Sequence, residues 1–444
     1  MALPPAHPEP TPTDFTPTST AVTLPLSRYW PRRFILVGLC FLSTFVCYID
    51  RVNMSVAIIP MAEEFKWDQT TKGIVLSSFF YGYLATQVLG GWLADRYGGK
   101  VVLGFGVLWW SIFTLLTPPA AAVSLAVLFI ARVGMGFGEG VAFPAIYNLF
   151  AHWVPVRERA RSVALNTSGI PLGTVGALLL TPAIVLRWGW QAVFYSFGML
   201  GFFWFVLWYF LVADSPETHP TIHPSEVQLI RAHSPSAPKN EKIPWGLLLS
   251  KAPVWAIIIN HFCSNWGFYV ILTWLPTYFK QALGADLSKV GIYTVLPWLA
   301  MFLMGNVAGW TADSLLKAGF SLTFVRKLMQ SIGFLGAATF LSLISGVTTI
   351  TQAIVYMCCT LGLGAFALSG FGVNHLDIGP RYAGILLGFS NTAGTIPGII
   401  GVTLTGFILD ATGSWSLVFL ISAGIYVFGA IVWLLFATGE RVFE

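Results

Sequence analysis

Four ionisable residues interrupt long apolar stretches of the sequence, Asp50 and Arg51 in one stretch and Arg132 and Glu139 in another. A charge at the centre of a bilayer costs about 3 kcal/mol or more, so such residues usually face a cavity or a partner. Arg51 is permanently charged, and its planar guanidinium matches a carboxylate or a phosphate. We predict that Arg51 binds an anion in a central cavity. The alternative is a structural ion pair with Asp50 or Glu139.

Arg132 and Glu139 are seven residues apart. In a helix this spacing is close to two turns, so both side chains project from one face, about 10 Å apart along the axis. We predict that Glu139 is a titrating group that receives a coupling ion, with Arg132 and Asp50 beside it. The alternative is a fixed salt bridge between helices.

Hydroxyl and amide side chains could complete an anion site around Arg51. Tyr48 shares its helix face, and further candidates are Tyr81, Ser264 and Asn265. We predict that these residues contact the substrate. The alternative is hydrogen bonding between helices, worth about 0.6–2 kcal/mol for each bond.

Histidines near these stretches are weaker candidates. His261 lies one turn before Asn265, which alone says little about proton transfer. His375 and Asp377 stand shortly before Arg381, and we interpret them as helix-end and gate contacts first and as substrate ligands second.

No arrangement of catalytic residues, metal ligands or cofactor-binding loops is apparent in the sequence. The five cysteines all lie in apolar stretches without metal-site spacing to histidine, and we interpret them as small buried hydrophobic residues: Cys40, Cys47, Cys263, Cys358 and Cys359. We therefore expect neither a metal nor a cofactor, and no enzyme activity.

The elements that carry these residues must be membrane helices. Of 444 residues, 56% are hydrophobic and only 10% are charged, against roughly a quarter charged in a soluble chain. The apolar runs are near the ~20 residues that cross a bilayer as a helix. We predict an all-α membrane protein with twelve spans, at about 34–60, 71–93, 101–118, 122–149, 161–185, 190–212, 253–278, 288–312, 325–345, 350–373, 381–408 and 414–437.

Polar segments divide the chain into five parts. Residues 1–27 are a predicted disordered tail, because they are rich in Pro and Thr and cannot bury a core. The first six-helix half covers 28–212, a cytoplasmic loop 213–252, the second six-helix half 253–437 and a short cytoplasmic tail 438–444.

The distribution of Lys and Arg predicts the orientation. With both termini in the cytoplasm, 17 of these residues lie inside and 5 outside, which is a clear positive-inside pattern. The net charge of +5 therefore reflects topology in the lipid bilayer, and nucleic-acid binding is not expected.

The two halves contain matching motifs. Gly91-Trp-Leu-Ala-Asp95 follows the second span, and Gly309-Trp-Thr-Ala-Asp313 follows the eighth. Both precede basic residues, and Pro-containing basic motifs precede spans five and eleven. Two matched six-helix halves indicate a transporter whose substrate binds between them. The predicted gating residues are Asp95, Arg96, Lys100, Asp313 and Arg381.

The segment 91–100 resembles the signature loop of the major facilitator superfamily. Over about residues 29–444 the chain also resembles the anion:cation symporters, which include sialin, the vesicular glutamate transporters and the plant plastid phosphate transporters. The pattern is most similar to the plastid phosphate transporter branch. The matching stretches are DRVNMSVAIIPM (50–61), SSFFYGYLATQVLGGWLADRYGGKVVLG (77–104), RVGMGFGEGVAFPA (132–145), the segment around 155–161, SKAPVWAIIINHFCSNWGFYVILTWLPTYF (250–279) and NHLDIGPRYAGILLGFSNTAGTIPG (374–398).

This resemblance implies movement of an anion by alternating access, linked to protons or sodium. It implies that Arg51 faces the substrate and that Arg132 and Glu139 match the family's fourth-helix Arg and Glu. The glutamate transporters carry a His where this chain has Leu76 and a second substrate Arg where it has Ser264. A small anion is therefore expected, inorganic phosphate first and an organic anion such as ascorbate or a sugar acid second. A transporter-shaped receptor or passive channel is the third alternative.

The resemblance also implies a monomer, as is usual in the superfamily. The N-terminal tail contains acidic residues and lacks Lys and Arg up to residue 27, which is a poor match to a transit peptide. We therefore expect a bacterial plasma membrane, with a cyanobacterial source suggested by the plastid likeness, and keep a plastid membrane as the alternative.

Overall fold

The computed structural model describes residues 30–232 and 245–443. Within these ranges the chain forms sixteen α-helices and two short 3₁₀ helices and contains no strand. The predicted disordered tail, residues 1–27, lies outside the described residues.

The first half contains seven helices, because the fourth span is divided in two. Their bounds are α1 (Arg32–Phe65), α2 (Gln69–Tyr97), α3 (Gly99–Val123), α4 (Leu125–Gly140), α5 (Ala142–Trp153), α6 (Val156–Trp188) and α7 (Trp190–Leu211). A 3₁₀ turn (Pro216–Thr218), α8 (Pro224–Ala232) and α9 (Trp245–Leu249) lie between the halves.

The second half repeats this order. Its helices are α10 (Ala252–Gln281), α11 (Leu287–Lys317), α12 (Leu322–Ile344), α13 (Ile350–Gly364), α14 (Ala367–Ile378), α15 (Ala383–Thr412) and α16 (Trp415–Phe436), with a 3₁₀ turn (Pro380–Tyr382) before α15.

Eleven spans are long and apolar enough to cross a membrane, with α4–α5 and α13–α14 each counted as one. The twelfth is α2, which bends by 50° between Gln87 and Leu89. The predicted twelve-span, all-α architecture is therefore confirmed. Most helices extend beyond the predicted bounds, since tilted spans are longer than the bilayer thickness requires.

The internal repeat extends to the helix boundaries and to the break in the fourth span of each half. Asp68 precedes α2 and Asp286 precedes α11, the same offset of 218 residues that separates the two Gly-Trp motifs. The fourth span is interrupted at Val141, and the corresponding tenth span is interrupted at Ala365 and Phe366. The two halves are thus built to one plan.

Glycines set the close packing of α4. A Cβ on Gly136 or Gly140 would collide with the backbone of α2, while one on Gly134 or Gly138 would collide with α3. The sequence predicts small residues on two faces of this helix for close packing, and the structure confirms that each face has its own neighbour.

The halves meet along three helix pairs, α2 with α15, α6 with α11 and α1 with α10. They touch at the end of the bundle that holds the α1–α2 turn, which we call the closed end. A Cβ on Gly73 there would meet the backbone of Thr403 at 3.1 Å. Toward the other end, which holds the chain termini and is called the termini end, a Cβ on Gly91, Gly384 or Gly388 would meet nothing within 4 Å. The halves therefore pack against each other at Gly73 and not at these three glycines.

The central segment is attached to the first half. Glu226 of α8 is 1% exposed and accepts hydrogen bonds from the backbone N–H groups of Arg32 and Arg33, each at 3.1 Å. Arg33 also pairs with Glu226 at 3.0 Å and with Glu158 of α6 at 2.8 Å. Because no side chain of its own caps the start of α1, Glu226 supplies the missing acceptor.

The last residues pack beneath the second half. The N–H of Val442 donates to the carbonyl of Ile378 at 2.8 Å, and the Phe443 ring is 4% exposed. Part of the predicted C-terminal tail is therefore held against the end of α14.

Candidate functional site

An ion pair links α1 to α4 inside the first half. The Nε and Nη2 atoms of Arg51 donate to Oε2 of Glu139 at 3.1 and 2.8 Å. Arg51 is 8% exposed and Glu139 fully buried. In this conformation Arg51 therefore forms the ion pair that the sequence offered as the alternative to anion binding. Its partner is Glu139 rather than Asp50.

Three aromatic rings surround the Arg51 guanidinium. The rings of Tyr48, Phe79 and Tyr83 each lie 4.7 Å from its Cζ atom. A cation–π contact contributes about 0.5–1 kcal/mol when exposed and about 2 kcal/mol when desolvated. We call these three rings the aromatic cage. The rings hold the guanidinium in place without neutralising its charge, which is paired with Glu139 in this conformation.

The Cys47 thiol also contacts the pair. Its Sγ donates to Oε2 of Glu139 at 3.1 Å, so three donors converge on one carboxylate oxygen. The other oxygen, Oε1, has no hydrogen-bond partner among the described residues. The sequence interpretation of the cysteines as inert hydrophobic residues therefore does not extend to Cys47.

Asp50 and Arg132 supply a second carboxylate and a second guanidinium next to the Arg51–Glu139 pair. Asp50 is fully buried and Arg132 is 2% exposed, and Arg132 interacts electrostatically with both Asp50 and Glu139. Within the described part of the chain, both Asp50 carboxylate oxygens and the Nε of Arg132 lack hydrogen-bond partners. Unpaired buried polar groups cost about 1–3 kcal/mol each, and such groups concentrate at functional sites.

A small cavity adjoins these residues and reaches the second half. Its volume is about 10 Å³, which is room for about one water molecule. The lining residues are Arg51, Val52, Met54, Ser55, Leu76, Phe79, Phe80, Arg132, Leu272 and Thr273. Both guanidinium-bearing residues thus line one cavity, and an anion larger than water requires it to widen.

The structure does not bring Tyr81 to Arg51. Its side chain is 45% exposed and packs against Phe129 of α4 at a ring distance of 5.6 Å. Tyr83 contacts Arg51 instead. A step of two residues along a helix rotates the side-chain direction by about 200°, so Tyr81 and Tyr83 lie on nearly opposite faces of α2 and only Tyr83 faces Arg51. The available signal was the spacing of Tyr83 four residues after Phe79.

The two candidates on α10 lie away from Arg51. Asn265 is half-buried and its Nδ2 donates to the carbonyl of Gly394 at 2.8 Å, while Ser264 is half-buried beside it. The residues of α10 that reach the cavity are Leu272 and Thr273, two turns further along.

The predicted gating residues lie at the termini end. Asp95 accepts from Asn148 at 2.8 Å, Arg96 lies over the rings of Trp92 and Tyr97, and Lys100 lies over Tyr209. These contacts stay within the first half.

Their counterparts in the second half are exposed at the same end. Asp313 and Arg381 are both on the surface, and the Arg381 guanidinium lies 5.7 Å from the Tyr382 ring. The glycine of the signature loop has a defined role, since Gly98 has a φ of +86° and a Cβ there would lie 2.6 Å from the Asp214 carboxylate.

A contact between the halves at the closed end was not predicted from the sequence. Asp410 of α15 accepts hydrogen bonds from the backbone N–H groups of Gln69 and Thr70, at 2.9 and 2.5 Å. These groups begin α2, where the helix dipole favours a negative charge. Thr403 adds a hydroxyl bond to Ser77 at 2.8 Å. We call the contact of Asp410 with α2 the closed-end latch.

Comparison with known proteins supplies the family. The profile of the Major Facilitator Superfamily matches residues 40–402. The chain is 51% identical over 420 residues to the chloroplastic ascorbate transporter of Arabidopsis thaliana, covering 95% of this chain and 77% of that protein. It is 49% identical to the chloroplastic sodium-dependent phosphate transport protein 1 of the same plant (96% and 83% covered) and 40% identical to sialin of Ovis aries (92% and 90%).

Solved structures show the same fold. A bacterial homologue of the human lysosomal transporter Spinster superposes with a TM-score of 0.75 at 15% identity, covering 92% of this chain and 97% of that one. A D-xylose–proton symporter superposes with a TM-score of 0.73 at 18% identity, covering 92% and 99%. Relatives and fold are those of transporters, which confirms the expectation that the chain is not an enzyme. The chain belongs to the major facilitator superfamily and, within it, to the anion:cation symporter group, on the branch of the plant plastid phosphate transporters.

Proposed function

We propose that the protein is a secondary active transporter of a small anion, driven by sodium or protons through alternating access. Inorganic phosphate is the leading substrate, and ascorbate or another organic anion is the second candidate. One observation carries this proposal: the Arg51 guanidinium stands in its aromatic cage between the Glu139 carboxylate and a cavity that Arg132 also lines.

Two guanidinium groups at one cavity favour an anion. Arg51 and Arg132 supply positive charge, and the hydroxyl-bearing residues Ser55 and Thr273 line the same space. A guanidinium binds phosphate or carboxylate through paired hydrogen bonds. Arg132 thus adds a second positive charge at the cavity.

The proposed coupling is a competition for Arg51. Glu139 occupies the Nε and Nη2 atoms, which form one of the two edges of the guanidinium that can make a paired contact with an anion. A proton or sodium ion on Glu139 would weaken this pair and release Arg51 to the anion. Asp50 and Arg132 form a second acid–base couple of the same kind behind it, with carboxylate oxygens that could receive the coupling ion.

The closed end and the termini end define the proposed route. In this conformation an anion reaches the centre from the termini end, because the closed-end latch joins the halves at the other. Occupation of the cavity and neutralisation of Glu139 would then allow the halves to rock. The residues Asp95, Arg96, Lys100, Asp313 and Arg381 would form the gate at the termini end in the opposite state.

The relatives support phosphate and ascorbate equally by name. The cavity favours the smaller anion, since about 10 Å³ must widen less for phosphate. We therefore place phosphate first.

The test is uptake of radiolabelled phosphate and ascorbate into proteoliposomes, with sodium and proton gradients imposed separately. We expect saturable uptake driven by one gradient, and its loss in Arg51→Ala. Arg231→Ala is the matched control, because Arg231 is an exposed arginine paired with Glu217 at 3.0 Å outside the site. Uptake that persists in folded Arg51→Ala protein would remove Arg51 from the site. Linear, non-saturating flux would indicate a channel instead.

We further propose that both chain termini lie on the cytoplasmic or stromal side, as the distribution of basic residues indicates, and that the protein acts as a monomer. The chloroplastic relatives favour a plastid membrane over the bacterial plasma membrane as its location. Protease accessibility of tags at each terminus in sealed organelles or cells tests the orientation.

A further inference from the structure

Two buried histidines from different spans share one serine hydroxyl in the second half. The Nδ1 atom of His261 on α10 lies 3.1 Å from Oγ of Ser390 on α15, and the Nε2 atom of His375 on α14 lies 2.9 Å from the same oxygen. The exposed fractions are 9% for His261, 3% for His375 and 0% for Ser390. Neither histidine takes part in the anion site around Arg51.

The His261 ring is held on the face of α10 that also carries Asn265. It packs against the Phe371 ring at 5.3 Å, and a Cβ on Gly394 would lie 2.6 Å from its Cδ2 and 3.0 Å from its Nε2. Asn265 donates to the carbonyl of that same Gly394. The ring is therefore packed between Phe371 and Gly394, with Nδ1 directed at Ser390.

The His375 ring stands nearer the termini end. It interacts with Asp377, which binds Arg326 of α12 through both carboxylate oxygens, at 2.6 and 3.2 Å. Among the described residues, the ionisable groups that act on the two rings are each other, Asp377 and, through it, Arg326. The facing residues of α15 are the neutral Ser390 and Gly394, and α1, α11 and α16 contribute no ionisable group that acts on either ring in the described part of the chain.

The hydrogen bonds of His261, Ser390 and His375 allow a proton to pass from His261 toward His375. The backbone of Gly372 bonds the His375 ring. Because Nε2 of that ring faces Ser390, the atom that donates to the Gly372 carbonyl is Nδ1. The single hydroxyl proton of Ser390 has two acceptors within reach, the Leu387 carbonyl at 3.1 Å and Nε2 of His375 at 2.9 Å. When the hydroxyl points to His375 and both rings are neutral, Nε2 of His375 accepts from it and the Ser390 oxygen accepts from Nδ1–H of His261. These tautomers follow from the hydrogen-bond network.

We propose that His261, Ser390 and His375 form a proton relay between the central region of the second half and the termini end. The proposal rests on the function proposed above, because the relay would serve transport driven by an ion gradient. A proton binds Nε2 of His261, the Nδ1 proton passes to Oγ of Ser390, and the hydroxyl proton passes to Nε2 of His375. His375 then gives up its Nδ1 proton to water at the termini end, which requires the hydrogen bond from Nδ1 to the Gly372 carbonyl to break and water to reach this buried ring as the halves rock. One proton enters and one leaves.

The relay must reset after each passage. Once a proton has crossed, each ring carries its own N–H proton on Nε2, and the Ser390 hydroxyl points back toward Nδ1 of His261. A second proton can move in the same direction only after these groups have exchanged their protons. The geometry therefore favours single protons rather than continuous leakage.

The first experiment needs no substrate. Imidazole nitrogen NMR of the full chain, labelled with ¹⁵N-histidine in lipid nanodiscs, reports the tautomer and titration of each ring. His261→Asn and His375→Gln assign the signals. We expect both rings to be protonated on Nδ1 in the native chain and their titrations to change in Ser390→Ala but not in Ser390→Thr.

Ser422→Ala is the matched control, because Ser422 is a buried serine of the same half that donates to the Val418 carbonyl. Nε2-protonated neutral rings, or titrations unchanged by Ser390→Ala, would overturn the relay. This result stands whether or not the chain carries phosphate or ascorbate.

The second experiment measures transport in proteoliposomes that contain a pH-sensitive dye. We expect uptake stimulated by a proton gradient to be about tenfold lower in Ser390→Ala than in native protein, as expected for the loss of a hydrogen bond worth about 1.4 kcal/mol. Substrate counterflow at equal pH should persist in the variant. Equal stimulation in Ser390→Ala and native protein would overturn the relay. Absence of counterflow in the native protein would overturn the proposed function instead, leaving the NMR result as the test of the relay.

Discussion

Replacing Glu139 by glutamine should tighten anion binding and remove its dependence on the coupling ion. The amide keeps the shape of the carboxyl group and one hydrogen bond to Arg51, but it removes the negative charge that competes with the substrate. The guanidinium stays in the aromatic cage formed by Tyr48, Phe79 and Tyr83, so its position should change little.

The magnitude follows from the geometry of the pair. With Arg51 nitrogens 2.8 and 3.1 Å from one oxygen, the charge centres are roughly 4 Å apart, and an effective dielectric constant of about 20 gives about 4 kcal/mol of attraction. The hydrogen bond that remains joins the charged guanidinium to a neutral amide and retains about 1.5–3 kcal/mol, and desolvation reduces the difference further. We expect a net gain of about 0.5–2 kcal/mol, which is about two- to thirtyfold tighter binding.

The assay is equilibrium binding of radiolabelled phosphate and ascorbate to purified protein, at several pH values and with sodium present or absent. Native protein should bind more tightly as pH falls or as sodium rises, whereas Glu139→Gln should bind tightly under all conditions. Transport by the variant should proceed as exchange but should not respond to a gradient. Glu217→Gln is the control, since it removes an exposed carboxylate paired with Arg231 at 3.0 Å.

Two outcomes would refute this reasoning. Weaker or unchanged affinity in Glu139→Gln would show that the carboxylate does not compete with the anion for Arg51. Binding that keeps the native dependence on pH or sodium would place the coupling ion elsewhere. Because an unpaired buried Arg51 could destabilise the fold by about 3–5 kcal/mol, each variant should first be checked for monodispersity and melting with and without anion.

Two further changes test the cage and the closed-end latch. Tyr83→Leu should weaken anion binding about tenfold, because one desolvated cation–π contact of about 1–2 kcal/mol is lost, whereas Tyr81→Leu should have no effect; equal losses would contradict the placement of these rings. Asp410→Asn should weaken two charge-assisted bonds of about 1.5–3 kcal/mol each and increase labelling of cysteines introduced at the closed end. Asp286→Asn, at the start of α11 and without a capping bond, should leave the labelling unchanged, and a similar increase in both variants would argue against the latch.

Much of the fold could be predicted from the sequence, because composition and apolar runs determine which segments lie in lipid. Twelve spans, two halves and the packing role of the α4 glycines all follow from such patterns. The bend in α2 and the interruptions at Val141 and Ala365 do not. Each depends on how a helix meets its neighbours, as where Gly90 of α2 lies against Val141 at the end of α4.

The site was predictable in its charges and less so in its partners. Ionisable residues within a membrane span need a partner or a cavity, and the sequence therefore identified Arg51 and Glu139. Their ion pair was one of the two alternatives that the sequence left open. Whether Tyr81 or Tyr83 faced Arg51 depended on the rotation of α2. The latch at Asp410 uses backbone donors on α2, which leave no trace in the sequence. The shared hydroxyl of Ser390 joins residues more than a hundred positions apart, and no local spacing reveals it.

The glycine packing of α4 has a mechanical consequence. Gly134 and Gly138 allow this helix to pack closely on α3, and Gly136 and Gly140 allow it to pack closely on α2. Gly136, Gly138 and Gly140 lie against backbone atoms of their neighbours, so the segment that carries Glu139 is supported on two sides partly by main chain. Such a helix is stiff, because backbone in contact with backbone has no rotamers through which to yield. Binding of an ion at Glu139 should therefore alter the local electric field and leave the shape of the first half unchanged. In each transport cycle the energy of ion binding would then appear as a change in the electrostatic interactions around Glu139. The structural movement would be confined to the contacts between the two halves.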